Sequence, residues 1–113
     1  MTDEAKLIKD FVNVEKSIGR EVDTFEEILE EIGVPRLLVR EPRCREDITA
    51  MASCISNAET EEGIKSCVTI NLEDIDRKLG RVINGEVPTA RKFYEKLKER
   101  AKSSLKEWGS FRL

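Results

Sequence analysis

Histidine and glutamine are both absent from the 113 residues, and asparagine occurs only at positions 13, 57, 71 and 84. Without imidazole, the side chain that titrates most readily near neutral pH, Ser-His-Asp and Cys-His catalysis and histidine-ligated metal sites are all excluded. Few thermolabile amides beside abundant Glu, Lys and Arg is the compositional lean of hyperthermophile proteins, so a thermophilic source is expected. Aromatic residues are scarce at 5%. No run approaches the roughly 18 apolar residues of a membrane span, and Met1-Thr2-Asp3-Glu4 is too acidic for a signal peptide. A cytoplasmic protein with no membrane partner is the expectation.

The remaining catalytic vocabulary is thin. No glycine-rich phosphate loop occurs. Glu26, Glu27, Glu30 and Glu31 bring carboxylates together at i and i+4, but a metal held this way needs matching ligands from a second helix, so they read as a solvated acidic face. Cys44, between Arg43 and Arg45, is the one thiol whose neighbours favour a lowered pKa. No metal, cofactor or small-molecule substrate is implied, and a non-enzymatic interaction protein is expected. Cys44, Cys54 and Cys67 contain no C-x-x-C pair. They read as three buried free thiols or, in a hyperthermophile, as one disulfide between Cys54 and Cys67.

What is present is charge, at 38% of residues against 39% hydrophobic. A core must therefore be assembled from amphipathic elements. Leu7, Ile8, Phe11, Val12, Val14 and Ile18 share one helical face over residues 3–18, capped by Thr2 or Asp3 and stopped by Gly19. Thr24-Phe25-Glu26-Glu27 has the capping-box pattern and opens a helix of about two turns, ended by Gly33. Residues 34–45, bracketed by Pro35 and Pro42, read as a connector with an apolar anchor. The uncharged run from Ile48 to Ile55 marks a central, most buried helix over 46–58.

Ile64, Cys67 and Val68 suit a short helix, although Cys67-Val68-Thr69-Ile70 is β-branched enough for a strand. Asn71 reads as the N-cap of a further helix through Leu72, Ile75, Leu79, Val82 and Ile83 to the Asn84-Gly85 stop, with Gly80 in its interior. Pro88 at an N1 position starts the last, long helix, whose stripe is Phe93, Leu97, Ala101, Leu105 and Trp108. No repeat or linker divides the chain. The expected architecture is a single all-α domain over 1–113, a compact bundle of five or six helices with a long amphipathic C-terminal helix packed across the 46–58 helix.

The formal net charge of −3 hides a polarity: −6 over residues 1–34, −4 over 35–76 and +7 over 77–113. One account packs acidic and basic helices side by side within the fold or leaves their faces solvated. The other makes the basic residues a phosphate-contacting surface: Arg91, Lys98, Lys102 and Lys106 along a flank of the last helix, with Arg36, Arg40, Arg43 and Arg45 in the connector. Tyr94 sits just off the apolar stripe as a half-exposed stacking residue or a residue of the core rim.

The leading functional expectation is a subunit or adaptor of a nucleic-acid-associated assembly, binding RNA or DNA through these residues. Small subunits of CRISPR effector complexes are similar in size and texture. The alternative is a self-associating helical protein whose basic helix meets an acidic protein surface, with no nucleic acid. Near the C-terminus, Lys102-x-x-Leu105-x-x-Trp108 resembles the short peptide with which replication and repair proteins bind the sliding clamp, with Lys102 in place of the usual Gln and Gly109 in place of the second aromatic. The resemblance implies clamp binding through this tail. Leu105 and Trp108 equally continue the core stripe, and with Phe111 they are candidate anchors for a protein partner.

Overall fold

The computed structural model describes residues 2–80 and 86–111, with side chains described for 2–80 and 89–104. Among the described residues there are six helices and no strand: α1 (Asp3–Ser17), α2 (Glu21–Glu31), α3 (Arg36–Val39), α4 (Pro42–Asn57), α5 (Glu61–Lys78) and α6 (Glu86–Phe111). The all-α bundle with a long last helix is therefore what the chain forms. No described helix is long and apolar enough to cross a membrane.

Where local signals and tertiary contacts agree, the elements fall where periodicity places them; on α1, Ile8, Phe11 and Val12 are buried as the stripe predicts, whereas Val14 and Ile18, read onto the same face, are exposed because no described helix covers them. Thr2 caps α1 by accepting the Ala5 amide on its side-chain oxygen at 3.1 Å. Gly19 provides the left-handed exit, at φ +72°. Thr60 caps α5 in the same way through the Gly63 amide at 2.9 Å.

Where they disagree, packing prevails. Thr24 is not a cap: α2 begins at Glu21, and Thr24 lies buried in its first turns, its hydroxyl donating to Glu15 of α1 at 3.1 Å. Asn71 is not a cap either, since α5 runs continuously through it. Its amide donates to the Cys67 carbonyl one turn back at 2.7 Å, satisfying a buried polar group without breaking the helix. The strand alternative at 67–70 gives way to the same helix. Gly80, read as helix interior, lies beyond its end at φ +69°, a conformation that glycine adopts without steric penalty. The expected continuation through Val82, Ile83 and the Asn84-Gly85 stop lies outside the described residues. The connector holds the one-turn helix α3 and the start of α4, which Pro42 opens at a position where its missing N–H costs no helical bond.

The core places α5 between α4 and α6, with α1 against α4 and α6 on the other side and α2 on α4, where it also meets α1, α3 and α6. Thus α6 packs on α5 and α1, not across α4 as expected. Ile48, Met51, Ala52 and Ile55 of α4 are fully buried, but its small-residue face is not: Ala50 and Cys54 are exposed and Ser53 is half-buried. Phe25 of α2 and Phe93 of α6 meet edge to face in the middle of this core, with ring centroids 5.4 Å apart, an arrangement that suits the aromatic quadrupoles. Cys54 and Cys67 form a disulfide between α4 and α5 across a Cα separation of 5.7 Å, so the three-free-thiol alternative holds only for Cys44, which is buried.

Candidate interaction surface

The long helix α6 presents two chemically different stretches to its neighbours. Toward its C-terminal end, Lys98 lies 3.5 Å from Glu4 of α1 and 3.0 Å from Glu95. Lys102 reaches the same Glu4 at 3.3 Å. Arg100, on the other flank, holds Glu27 and Glu31 of α2, both at 2.9 Å. Two cations on Glu4 keep its carboxyl below the usual range, Lys102 contributing most. At Arg100, burial opposes the charge, but the hydrogen bonds to Glu31 and Glu27 outweigh it and leave the guanidinium more firmly protonated.

Three of the four arginines of the 34–45 segment are engaged in the same way. Arg36 approaches Glu30 at 3.5 Å, and Arg40 approaches Glu26 at 3.6 Å and Glu30 at 3.9 Å. Arg43 pairs locally with Glu41 at 3.2 Å. The four glutamates of α2 are consequently not simply a solvated acidic face: Glu31 is exposed, Glu27 and Glu30 are half-buried and Glu26 is buried, and each one meets an arginine of α3, α6 or the α3–α4 junction. Glu26 is 3% exposed; burial pushes its carboxyl up, with Arg40 opposing.

Of the seven candidate cations whose side chains are described, Arg36, Arg40, Arg43, Lys98 and Lys102 thus face carboxylates of this chain. Arg45 and Arg91 make no ion pair among the described residues, although the Arg45 charge is felt at Glu26. Lys106, Leu105, Trp108 and Phe111 carry side chains outside the described residues, and with them the clamp-like tail. Cys44 is not an activated thiol: burial and the nearby Asp47 and Glu41 charges raise its pKa against the opposing Lys78 and Arg43.

The N-terminal half of α6 differs. Arg91 and Lys92 are exposed with no carboxylate partner among the described residues, because the nearest acid on the helix, Glu95, is held by Lys98. Arg91 stands on a ridge between two open grooves. One, of about 320 Å³, runs between α5 and α6 and is lined by Lys65, Thr69, Ala90, Arg91, Tyr94 and Glu95. The other, of about 350 Å³, lies between the end of α2 and α6 and is bordered by Lys92 and Lys96. Tyr94 is buried rather than half-exposed, and its ring forms one wall of the first groove. The Lys65 ammonium stands over that ring at 5.3 Å from its centroid, within the range of a cation–π contact. Burial raises the phenol pKa, so Tyr94 stays neutral.

Arg91 and Lys92 are the unpaired cations of this surface, beside hydroxyl and aromatic walls; Lys65 and Lys96 flank them, each within reach of a glutamate of its own helix, Glu61 at 3.3 Å and Glu99 at 3.6 Å. Lys65, Lys92 and Lys96 escaped the sequence reading because nothing in their spacing separates them from any other exposed lysine. Only the approach of α5 to α6 reveals Lys65 as a neighbour of Arg91. No protein-family model, no curated protein and no solved structure matches the chain.

Proposed function

We propose that the protein is a small non-enzymatic adaptor that docks an acidic segment of a protein partner on the N-terminal half of α6. The observation that carries this reading is the contrast in pairing along that helix: Lys98, Arg100 and Lys102 are engaged by acids of α1 and α2, while Arg91 and Lys92 stand unpaired beside a groove. A partner carboxylate meeting Arg91 has a planar fork for two parallel hydrogen bonds, with the Thr69 hydroxyl and the Lys65 charge on the opposite wall.

Size favours a peptide over a polynucleotide. From Arg91 to Lys96 the helix rises only about 7.5 Å, little more than two steps of about 3.4 Å along a nucleic acid axis. A polyanion lying along these grooves meets Glu95 and Glu31 in their linings and Glu99 beside Lys96, and the chain as a whole is negative. A short segment sets its acids on Arg91 and Lys92 and its own basic residues on those glutamates.

Fluorescence titration with a glutamate-rich peptide and with single-stranded DNA and RNA of equal charge, at low and moderate salt, tests the reading. Saturable peptide binding that Arg91→Glu weakens at least about tenfold is expected, with nucleic acid binding weaker and lost at moderate salt. Preference for the nucleic acid, or peptide affinity indifferent to Arg91→Glu, overturns it. Light scattering of the free protein separates an external partner from a second copy of this chain.

A further inference from the structure

The disulfide joins two unlike environments. Cys67 is 4% exposed and belongs to the core formed with Ile64, Val68 and Leu72. Cys54 is exposed on the outer face of α4, where Ala50, Ser53 and Asn57 are its small, uncharged neighbours along the helix. Beside Cys67 on α5, the solvent-facing residues Ser66 and Ile70 are uncharged as well. In a chain with 38% charged residues, this face sets no carboxylate next to Cys54 in either helix to repel an incoming anion.

Thiol–disulfide exchange proceeds by thiolate attack on one sulfur, and access decides which one. The chain's own third thiol is kept out of the reaction. Cys44 lies on the same helix ten residues before Cys54, about 15 Å away by helical rise, well beyond the Cα separation a disulfide tolerates. It is also buried, with burial, Asp47 and Glu41 all disfavouring its thiolate.

We propose that Cys54 is a modification site, the sulfur at which an external thiol opens the Cys54–Cys67 bond and to which that thiol becomes attached. The thiolate forms a new S–S bond with the Cys54 sulfur, and the Cys54–Cys67 bond breaks. The electron pair leaves on the Cys67 sulfur, which takes up a proton within the core. A monothiol remains on Cys54 as a mixed disulfide pointing to solvent. With a dithiol reductant, the second thiolate displaces Cys54, leaving both cysteines reduced and the reductant oxidised. Attack on Cys67 requires the core to open first, so exchange in the folded protein follows one route and gives one product. Cys44 takes no part.

The test uses the intact folded protein and reduced glutathione as the probe. After brief exposure, acid quenching and peptide mapping by mass spectrometry, the adduct is expected on Cys54 in at least about tenfold excess over Cys67, at a rate that rises in proportion to glutathione concentration. The proposal is overturned by an adduct shared equally or found on Cys67, by a rate that does not depend on glutathione and so reports global unfolding, or by a nonreducing map that shows three free thiols. Cys67→Ser and Cys54→Ser provide a second reading. The Cys54 thiol in the first is expected to react with an aromatic disulfide reagent at least about 100-fold faster than the Cys67 thiol in the second, and similar rates contradict the proposal. Should either variant fail to fold by circular dichroism, the map of the unmodified sequence decides alone.

Discussion

The two halves of α6 share one buried stripe and one sign of charge, yet they have different surroundings. Residues 98–102 lie where α1 begins and along α2, so each cation there finds a glutamate within 3.5 Å. Residues 91–96 face the grooves flanking the helix; there Lys96 pairs with Glu99 at 3.6 Å, while the acids beside Arg91 and Lys92, Glu95 and Glu31, are held by Lys98 and Arg100, which leaves those two cations without a carboxylate among the described residues. A row of basic residues on a helix is therefore two things at once: an internal clasp that joins distant parts of the chain, and a short free surface. What distinguishes them is which neighbour lies alongside, not composition.

Removing the shared stripe affects both halves. Phe93 is fully buried against Phe25, and Phe93→Ala should cost about 3–5 kcal/mol in urea denaturation, with clasp and patch lost together. Loss of one half alone from this variant would mean that they fold independently.

Charge reversal separates the halves. The Arg100 side chain is 34% exposed. Arg100→Glu places a third carboxylate beside Glu27 and Glu31 and, discounted for that exposure, should cost about 1–3 kcal/mol. Lys92→Glu, with no partner to lose, should stay within about 0.5 kcal/mol. Equal destabilisation in the two variants would remove the distinction drawn here.

Acid should release the clasp. The folded carboxyl of Glu4 titrates below its unfolded value because Lys102 and Lys98 stabilise its charged form. Its contribution is present above the unfolded carboxylate pKa and is lost as pH falls through the folded one. Glu4→Gln mimics this at neutral pH. It should free Lys102, leave Lys98 with Glu95 alone, and raise the affinity of α6 for single-stranded nucleic acid modestly, measured by fluorescence titration, with little change in stability. Unchanged affinity would mean that Glu4 does not occupy those lysines in solution.

Glu26 carries the opposite sign. Its folded carboxyl is raised by burial, so acidification through that pKa adds stability at this position. Glu26→Gln should be neutral or stabilising by up to about 1 kcal/mol at pH 7, and clear destabilisation would show that the approach to Arg40 outweighs burial.

How much of this was legible in the sequence depends on how local the signal is. The Thr2 cap, the Gly19 exit, the α4 stripe, the first half of the α1 stripe and Phe93, Leu97 and Ala101 of α6 are short-range and were readable, whereas the periodicity that carried the α1 stripe on to Val14 and Ile18 overran the packing. Thr24 and Asn71 carry equally good local cap signals, but each side chain found another partner, Glu15 of α1 and the Cys67 carbonyl, and the helix ran past it. The polarity of −6 against +7 was also readable. That Glu4 would meet Lys102 across 98 positions, and Glu27 meet Arg100 across 73, was not. Such pairs follow from which helices pack together. The unpaired Arg91 and Lys92 therefore stand apart from the other cations only in the folded chain.

The most direct measurement is a two-dimensional amide NMR titration of the folded protein with a glutamate-rich peptide. Saturable shifts are expected at Lys65, Thr69 and residues 90–96, with Lys98, Arg100 and Lys102 unmoved. Shifts centred on 98–102, or spread evenly along α6, would contradict that placement.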